Sequence, residues 1–141
     1  MTAPVRRGAA APIQAAVYAA LAGDQELSAM VGGRVHDHVP EPAVYPYVTV
    51  GEAVESPDDT LDRFGADTMI VVHVWSEYRG YAQGNAIAGR IQALLDRQPL
   101  TVSGHLVVAV RFKQTQPARD PDPQLRHVVV RFQVVTEQEE G

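Results

Sequence analysis

The segment Thr68 to Leu95, TMIVVHVWSEYRGYAQGNAIAGRIQALL, leaves few folds open, because a strand-like apolar run changes within five residues into a helical, alanine-rich pattern. Ile70, Val72 and Val74 fall on one face of the predicted strand, and Met69, Val71, His73 and Trp75 on the other. Both faces are largely apolar, which predicts a central strand covered on both sides; in a small domain the second cover is a neighbouring subunit. The Ser76-Glu77-Tyr78-Arg79-Gly80 turn carries no phosphate-loop or nucleophile signature, although such a turn often holds one in an enzyme. In the following helix Ile87, Ile91, Leu94 and Leu95 make a packing stripe, and Gly84 and Gly89 thin it enough for close approach to another backbone.

At 141 residues and 45% hydrophobic content, the chain supports one core and not comfortably two. The expected organisation is a loosely ordered Ala/Pro/Gly-rich arm over 1–11, one domain over 12–136 and a flexible tail over 137–141. A net charge of -5 gives no general basic field to attract nucleic acid by counterion release. Cysteine is absent, so disulfides and thiolate chemistry are ruled out and a reducing cytoplasm suits its synthesis. Arg6 and Arg7 precede an amphipathic segment and not a continuous apolar one, so they do not make a secretory or twin-arginine signal. No apolar run approaches the roughly 18 residues that cross a bilayer, and the expectation is a soluble protein.

Ile13, Val17, Ala20 and Leu21 recur on one helical face between Pro12 and Gly23, and Asp24 can cap a further turn ending at Gly32-Gly33. Residues 34–39 and 45–50 read as two strands, and Glu55 to Gly65 as a long exposed acidic loop. After the second helix, Leu100 to Gly104 suggests a short strand. Two alternating strands follow, with Leu106, Val108, Val110 and Phe112 inward in one and Val128, Val130, Phe132 and Val134 inward in the other. They read as an antiparallel pair joined by a long connection over Thr115 to Gln124. The predicted fold is α+β, a mainly antiparallel sheet with two helices on one face, in the order α-β-β-β-α-β-β-β.

Candidate chemistry is sparse. His36 and His38 would share one side of a strand beside Asp37, but two imidazoles are half of a tetrahedral shell and no further ligand motif accompanies them. Asp58, Asp59, Asp62 and Glu55 lack the rhythm of a calcium loop. Ser76 with His73, His105 and His127 supplies the residue types of a triad without a nucleophile elbow. Trp75 and Tyr78 could stack bases, but no interleaved Lys/Arg supports them, and core packing or a subunit contact is the better reading of Trp75. No catalytic, metal or cofactor-binding residue is assigned.

An ordered set of short motifs spans residues 13–136. It comprises the Ile13-Gln-Ala-Ala-Val-Tyr-Ala-Ala-Leu21 helix, Val31-Gly-Gly-Arg-Val35 with Val39-Pro40, and Tyr45-Pro-Tyr-Val-Thr-Val-Gly51. His73-Val-Trp-Ser76 with Tyr78-Arg-Gly80, Leu100-Thr-x-x-Gly104-His105, Arg119-Asp-Pro-Asp122 and Arg126-His127 complete it. In this order they resemble the tail completion, or tail terminator, family of tailed bacteriophages and gene transfer agents, long described as a domain of unknown function. The resemblance implies a non-enzymatic, cofactor-free structural protein of the virion, at the junction of tail and neck, made in the bacterial host cytoplasm. Subunits, usually six, would form a ring on the last ring of the tail tube protein, stop its polymerisation and present the head-tail joining surface to the connector or head-closure protein. DNA would pass through the lumen without specific binding, and no membrane is involved. An acidic lumen suits that passage because like charge opposes phosphate binding, and Glu55, Asp58, Asp59 and Asp62 are its candidate lining. Trp75, Tyr78, Arg79, Arg119, Asp120 and Arg126 are candidate subunit or partner contacts, the charged ones acting through charge-assisted hydrogen bonds or as turn caps. Competing readings are another neck, head-closure or tail-tube ring subunit, a small metal-dependent hydrolase using His36 and His38, and a toxin-like or regulatory dimer.

Overall fold

Strand β3, Gly65–Ser76, is the axis of the molecule: it pairs antiparallel with β2, Tyr47–Pro57, on one side and with β5, Arg126–Gln138, on the other. The computed structural model describes residues 3–77 and 79–140. Strand β1, Val35–His36, lies parallel to β2, and β4, His105–Ala118, is the far edge beside β5, so the sheet order is β1-β2-β3-β5-β4. Helices α1, Ala10–Ala22, α2, Gln25–Val31, and α3, Ala82–Leu95, cover one face. The α+β class with a mainly antiparallel sheet is as predicted. The element order is ααβββαββ, because the Asp24-capped turn is a seven-residue helix and the expected Leu100–Gly104 strand is reduced to a single bridge, Val102 with His105.

The helix-side core follows the predicted periodicities. Ile13, Val17 and Leu21 of α1, Leu27 and Val31 of α2, and Ile87, Ile91 and Leu95 of α3 are buried against Ile70, Val72, Val74, Val128, Val130, Phe132 and Val134. Burying one such aliphatic side chain contributes about 1.5–3 kcal/mol, so this layer is the main source of stability. Asp24 caps α2 by accepting the Leu27 N–H at 2.8 Å, and its carboxylate is gripped at both oxygens by Arg90 of α3, at 2.7 and 2.9 Å. Arg90, with the Leu27 N–H second, holds the Asp24 carboxyl below its usual range. One acidic side chain thus starts α2 and ties it to α3.

Two connections and one strand depart from the sequence reading. Strand β2 continues to Pro57, so the acidic connection is only residues 58–64 and Glu55 lies within a strand. Strand β4 runs to Ala118, shortening the expected Thr115 to Gln124 connection to 119–125. The inward set of β4 is also different: His105 and Val110 are buried, whereas Leu106 and Val108 are more than half exposed. The cause is a pair of register shifts, between Val107 and Ala109 and between Phe112 and Gln114, each of which inserts an extra residue and reverses the alternation.

The two glycines of α3 have different surroundings. A Cβ on Gly84 would sit 3.0 Å from Val128 Cγ2, so that glycine permits close packing of helix on sheet, although against a side chain and not a backbone. Gly89 faces open space. Gly84→Val is therefore expected to destabilise the fold by about 1–3 kcal/mol by overpacking. Gly89→Ala should stabilise it by about 0.5–1 kcal/mol through helix propensity alone. Denaturant unfolding of the two variants checks both signs.

Candidate assembly interface

Opposite the helices, the sheet carries a second layer of side chains that no helix covers. Tyr47 projects there from β2, Val71, His73 and Trp75 from β3, and His127, Val129 and Arg131 from β5, as the pairs Tyr47 with Trp75, Trp75 with His127 and His73 with Val129 require. Their rings form a continuous array. Trp75 stacks on His127 with centroids 3.7 Å apart and planes 11° apart, and Tyr47 stacks against Trp75 at 6.2 Å. The array extends through Tyr45 and His36, 5.2 and 5.8 Å from Tyr47. Tyr47, Val71, His127 and Val129 are each less than a tenth exposed because neighbouring rings cover them, while Trp75 stays partly open. One guanidinium nitrogen of Arg131 on this face is buried with no acceptor among the described residues.

A polar chain crosses the same array. The two imidazoles are joined by a 2.7 Å hydrogen bond between His73 Nδ1 and His127 Nε2, and His73 Nε2 lies 3.4 Å from the Glu52 carboxylate. Burial and the adjacent His73 push His127 down from 6.5 to about 4, against the weaker opposing pull of Asp120 and Glu52. The shared ring hydrogen bond needs one neutral acceptor nitrogen, so the two imidazoles cannot both be protonated while it persists. Ser76 points to the helix side and bonds Gln83, so no triad geometry joins it to these histidines.

The acidic residues expected to line a lumen divide into two groups. Glu55 reaches under α1, where its carboxylate accepts the Ala9 and Ala10 N–H groups at 3.1 Å, supplying the cap that Ala9 cannot. Asp59 accepts the Gly65 N–H at 2.9 Å and pairs with Arg6 at 2.6 Å; the Gly65 N–H first and Arg6 second hold its carboxyl below the usual range. Asp58 is exposed, and Asp62 accepts only the Thr60 hydroxyl. The segment expected to be a loose arm is anchored from Val5 onward. Arg6 also stacks on Phe64 at 4.6 Å and donates to the Gly65 carbonyl, while Arg7 bonds Gln138 and the carbonyls of Gly104 and Glu139. Gln138 returns a hydrogen bond to the Val5 carbonyl. None of these arm contacts was legible in the sequence, where Arg6 and Arg7 lack any periodic context.

The remaining predicted contacts sit at the other end of the sheet. Asp120 accepts the Asp122 N–H at 2.9 Å and Arg126 donates to the Pro123 carbonyl at 2.8 Å, so both shape the 119–125 loop, and Arg126 also lies over the Tyr81 ring. Arg79 and Arg119 are exposed and carry no hydrogen bond among the described residues. Tyr78 lies outside the described residues. Strand β1 ends at His36, which packs on Tyr47, and His38 lies exposed beyond it, so the two do not form the side-by-side pair expected of a longer strand. Among the described residues no three His, Asp or Glu side chains converge as a metal site.

Two measurements follow from this geometry. Between pH 6.5 and 4 the unfolded chain protonates His127 and the folded chain does not, so stability falls as pH drops through that window, by on the order of 2 kcal/mol. His127→Gln should flatten that slope in unfolding curves recorded at several pH values. Glu55→Ala should lower stability by about 1–3 kcal/mol through the lost charged hydrogen bonds, whereas Asp58→Asn should stay within about 0.5 kcal/mol; thermal melts separate the anchoring carboxylate from the free one.

The tail completion protein gp17 family matches residues 15–137. Tail completion protein gp17 of Bacillus phage SPP1 is 29% identical over 87 residues, covering 62% of this chain and 64% of that protein, so the chain spans less than two thirds of this relative's length. Among solved structures, a chain of the virion of a native gene transfer agent particle superposes with a TM-score of 0.86 at 27% identity, covering 94% of this chain and 99% of that one. The structure of bacteriophage SPP1 gp17 shares the fold, with a TM-score of 0.60 at 24% identity over 93% of this chain and 91% of that one. With the family model matching residues 15–137 and the fold superposing on a virion component, the chain belongs to the gp17 family of tail completion proteins, structural proteins of the phage virion.

Proposed function

We propose that copies of this chain close into a ring, in the hexameric form the family resemblance implies, on the last ring of the tail tube. The ring stops tube growth and presents the surface on which the head-tail connector or head-closure protein seats. The observation that carries this reading is the sheet face opposite the helices: partly open Trp75 sits in a layer where Tyr47, Val71 and Val129 are already buried, and Arg131 buries a donor there that lacks an acceptor among the described residues. The open part of the Trp75 ring is stabilised when another chain covers it, and a buried unpaired donor costs about 1–3 kcal/mol until an acceptor arrives. The superposition on a chain from a gene transfer agent virion supports the same placement. A net charge of -5 suits a passage for DNA, since a wall without a basic field does not retain phosphate. We assign the chain no catalytic step.

Electron microscopy of the purified protein mixed with its tube protein tests the reading. Closed rings capping tubes of finite length are the expected result, and Trp75→Asp should abolish capping by placing a charge in the covered layer. Tubes that grow without a cap in the presence of the wild-type protein would overturn the proposal.

A further inference from the structure

We propose that the β2–β3 loop of one copy docks, through Leu61 and the carboxylates of Asp58 and Asp62, into a groove on the β4 edge of the next copy. This deepens the ring reading and rests on it. The loop is built to present its tip. Asp58 N–H bonds the Gly65 carbonyl, Thr60 N–H bonds the Arg63 carbonyl, and Asp59 is tied to Gly65 and Arg6, yet Leu61 itself packs on nothing and is fully exposed. The backbone that carries Leu61 is held by these bonds, so the backbone part of the ordering cost is already spent before contact.

The groove lies at the opposite edge of the sheet, between the α3–β4 connection and the outer side of β4, with a volume of about 770 Å³. Leu100, Leu106 and Val108 supply its apolar wall, the last two exposed by the register shift at Val108. Arg97 and Arg111 line it and have no ion-pair partner among the described residues; Glu139 is the one acidic residue in the lining. An apolar side chain flanked by two carboxylates without an ion pair among the described residues matches an apolar groove flanked by two guanidinium groups likewise unpaired.

Placement along the sheet matches as well. Gly65 pairs with Glu137 and Glu137 with Leu106, so loop and groove belong to the same end of the sheet, on the two sides of β5. A head-to-tail contact of this kind generates a ring where the rotation between copies closes. The inference assigns Asp58 and Asp62 to a subunit contact in place of a lumen wall, and leaves the uncovered aromatic face for the other contacts of the ring.

The chain contains no cysteine, so engineered pairs report contact without background. Leu61→Cys protein is mixed with Val108→Cys protein, assembled with the tube protein, imaged and oxidised; Leu106→Cys serves as a second groove variant, and Val54→Cys replaces Leu61→Cys as an exposed control. A disulfide forms only when the two Cα atoms come within about 7 Å. The expected result is a covalent dimer from Leu61→Cys with either groove variant, at least tenfold above the Val54→Cys control. Rings that are seen in the microscope but yield no cross-link above control with either groove variant would overturn the docking and leave the ring standing. Wild-type protein that forms no rings on its tubes would overturn both.

Discussion

Strand β3 bears apolar side chains on both faces while the chain holds only enough helix to cover one of them. It is paired with β5 along its whole length and with β2 along most of it, so its position is held by backbone hydrogen bonds on both sides. The helices satisfy Ile70, Val72 and Val74. The other face is left to rings stacked on rings, Tyr47 on Trp75 on His127, with His73 bonded to His127 beneath them.

The charged groups split along the same division of labour. Glu55, Asp59, Arg6, Arg7 and Asp24 work inside the molecule, holding helix starts and the N-terminal segment against the sheet. Asp58, Asp62, Arg97 and Arg111 are not consumed in this way and remain at the periphery. An acidic balance overall therefore says little about any single carboxylate: the ones that anchor backbone N–H groups are structural, and only the rest are available for a partner.

The short motifs that point to the family turn out to be joints. Gly32 ends α2 in the left-handed conformation and leads into Arg34, whose guanidinium donates to the carbonyls of Tyr45 and Pro46, so the Gly-Gly-Arg and Tyr-Pro-Tyr motifs are two halves of one clamp. Gly104, with φ of 78°, turns the chain into β4. Asp120 and Arg126 close the last loop. These residues determine shape, as their bonds to neighbouring backbone show.

Periodicity in the sequence was enough to determine the α+β class, the helix faces, the two-faced character of Thr68 to Ser76 and the Asp24 cap, because each depends on residues within a few positions of one another. The structure alone decided the inward set of β4, where bulges inserted extra residues and turned Leu106 and Val108 outward; a bulge has no local signature that alternation can reveal. Only the tertiary structure, likewise, could separate Glu55 and Asp59 from Asp58 and Asp62, four acids alike in sequence. Their partners, Ala9, Ala10 and Arg6, lie about fifty residues away along the chain, and long-range contacts of that kind are chosen by how strands and helices pack, not by the residues next to them.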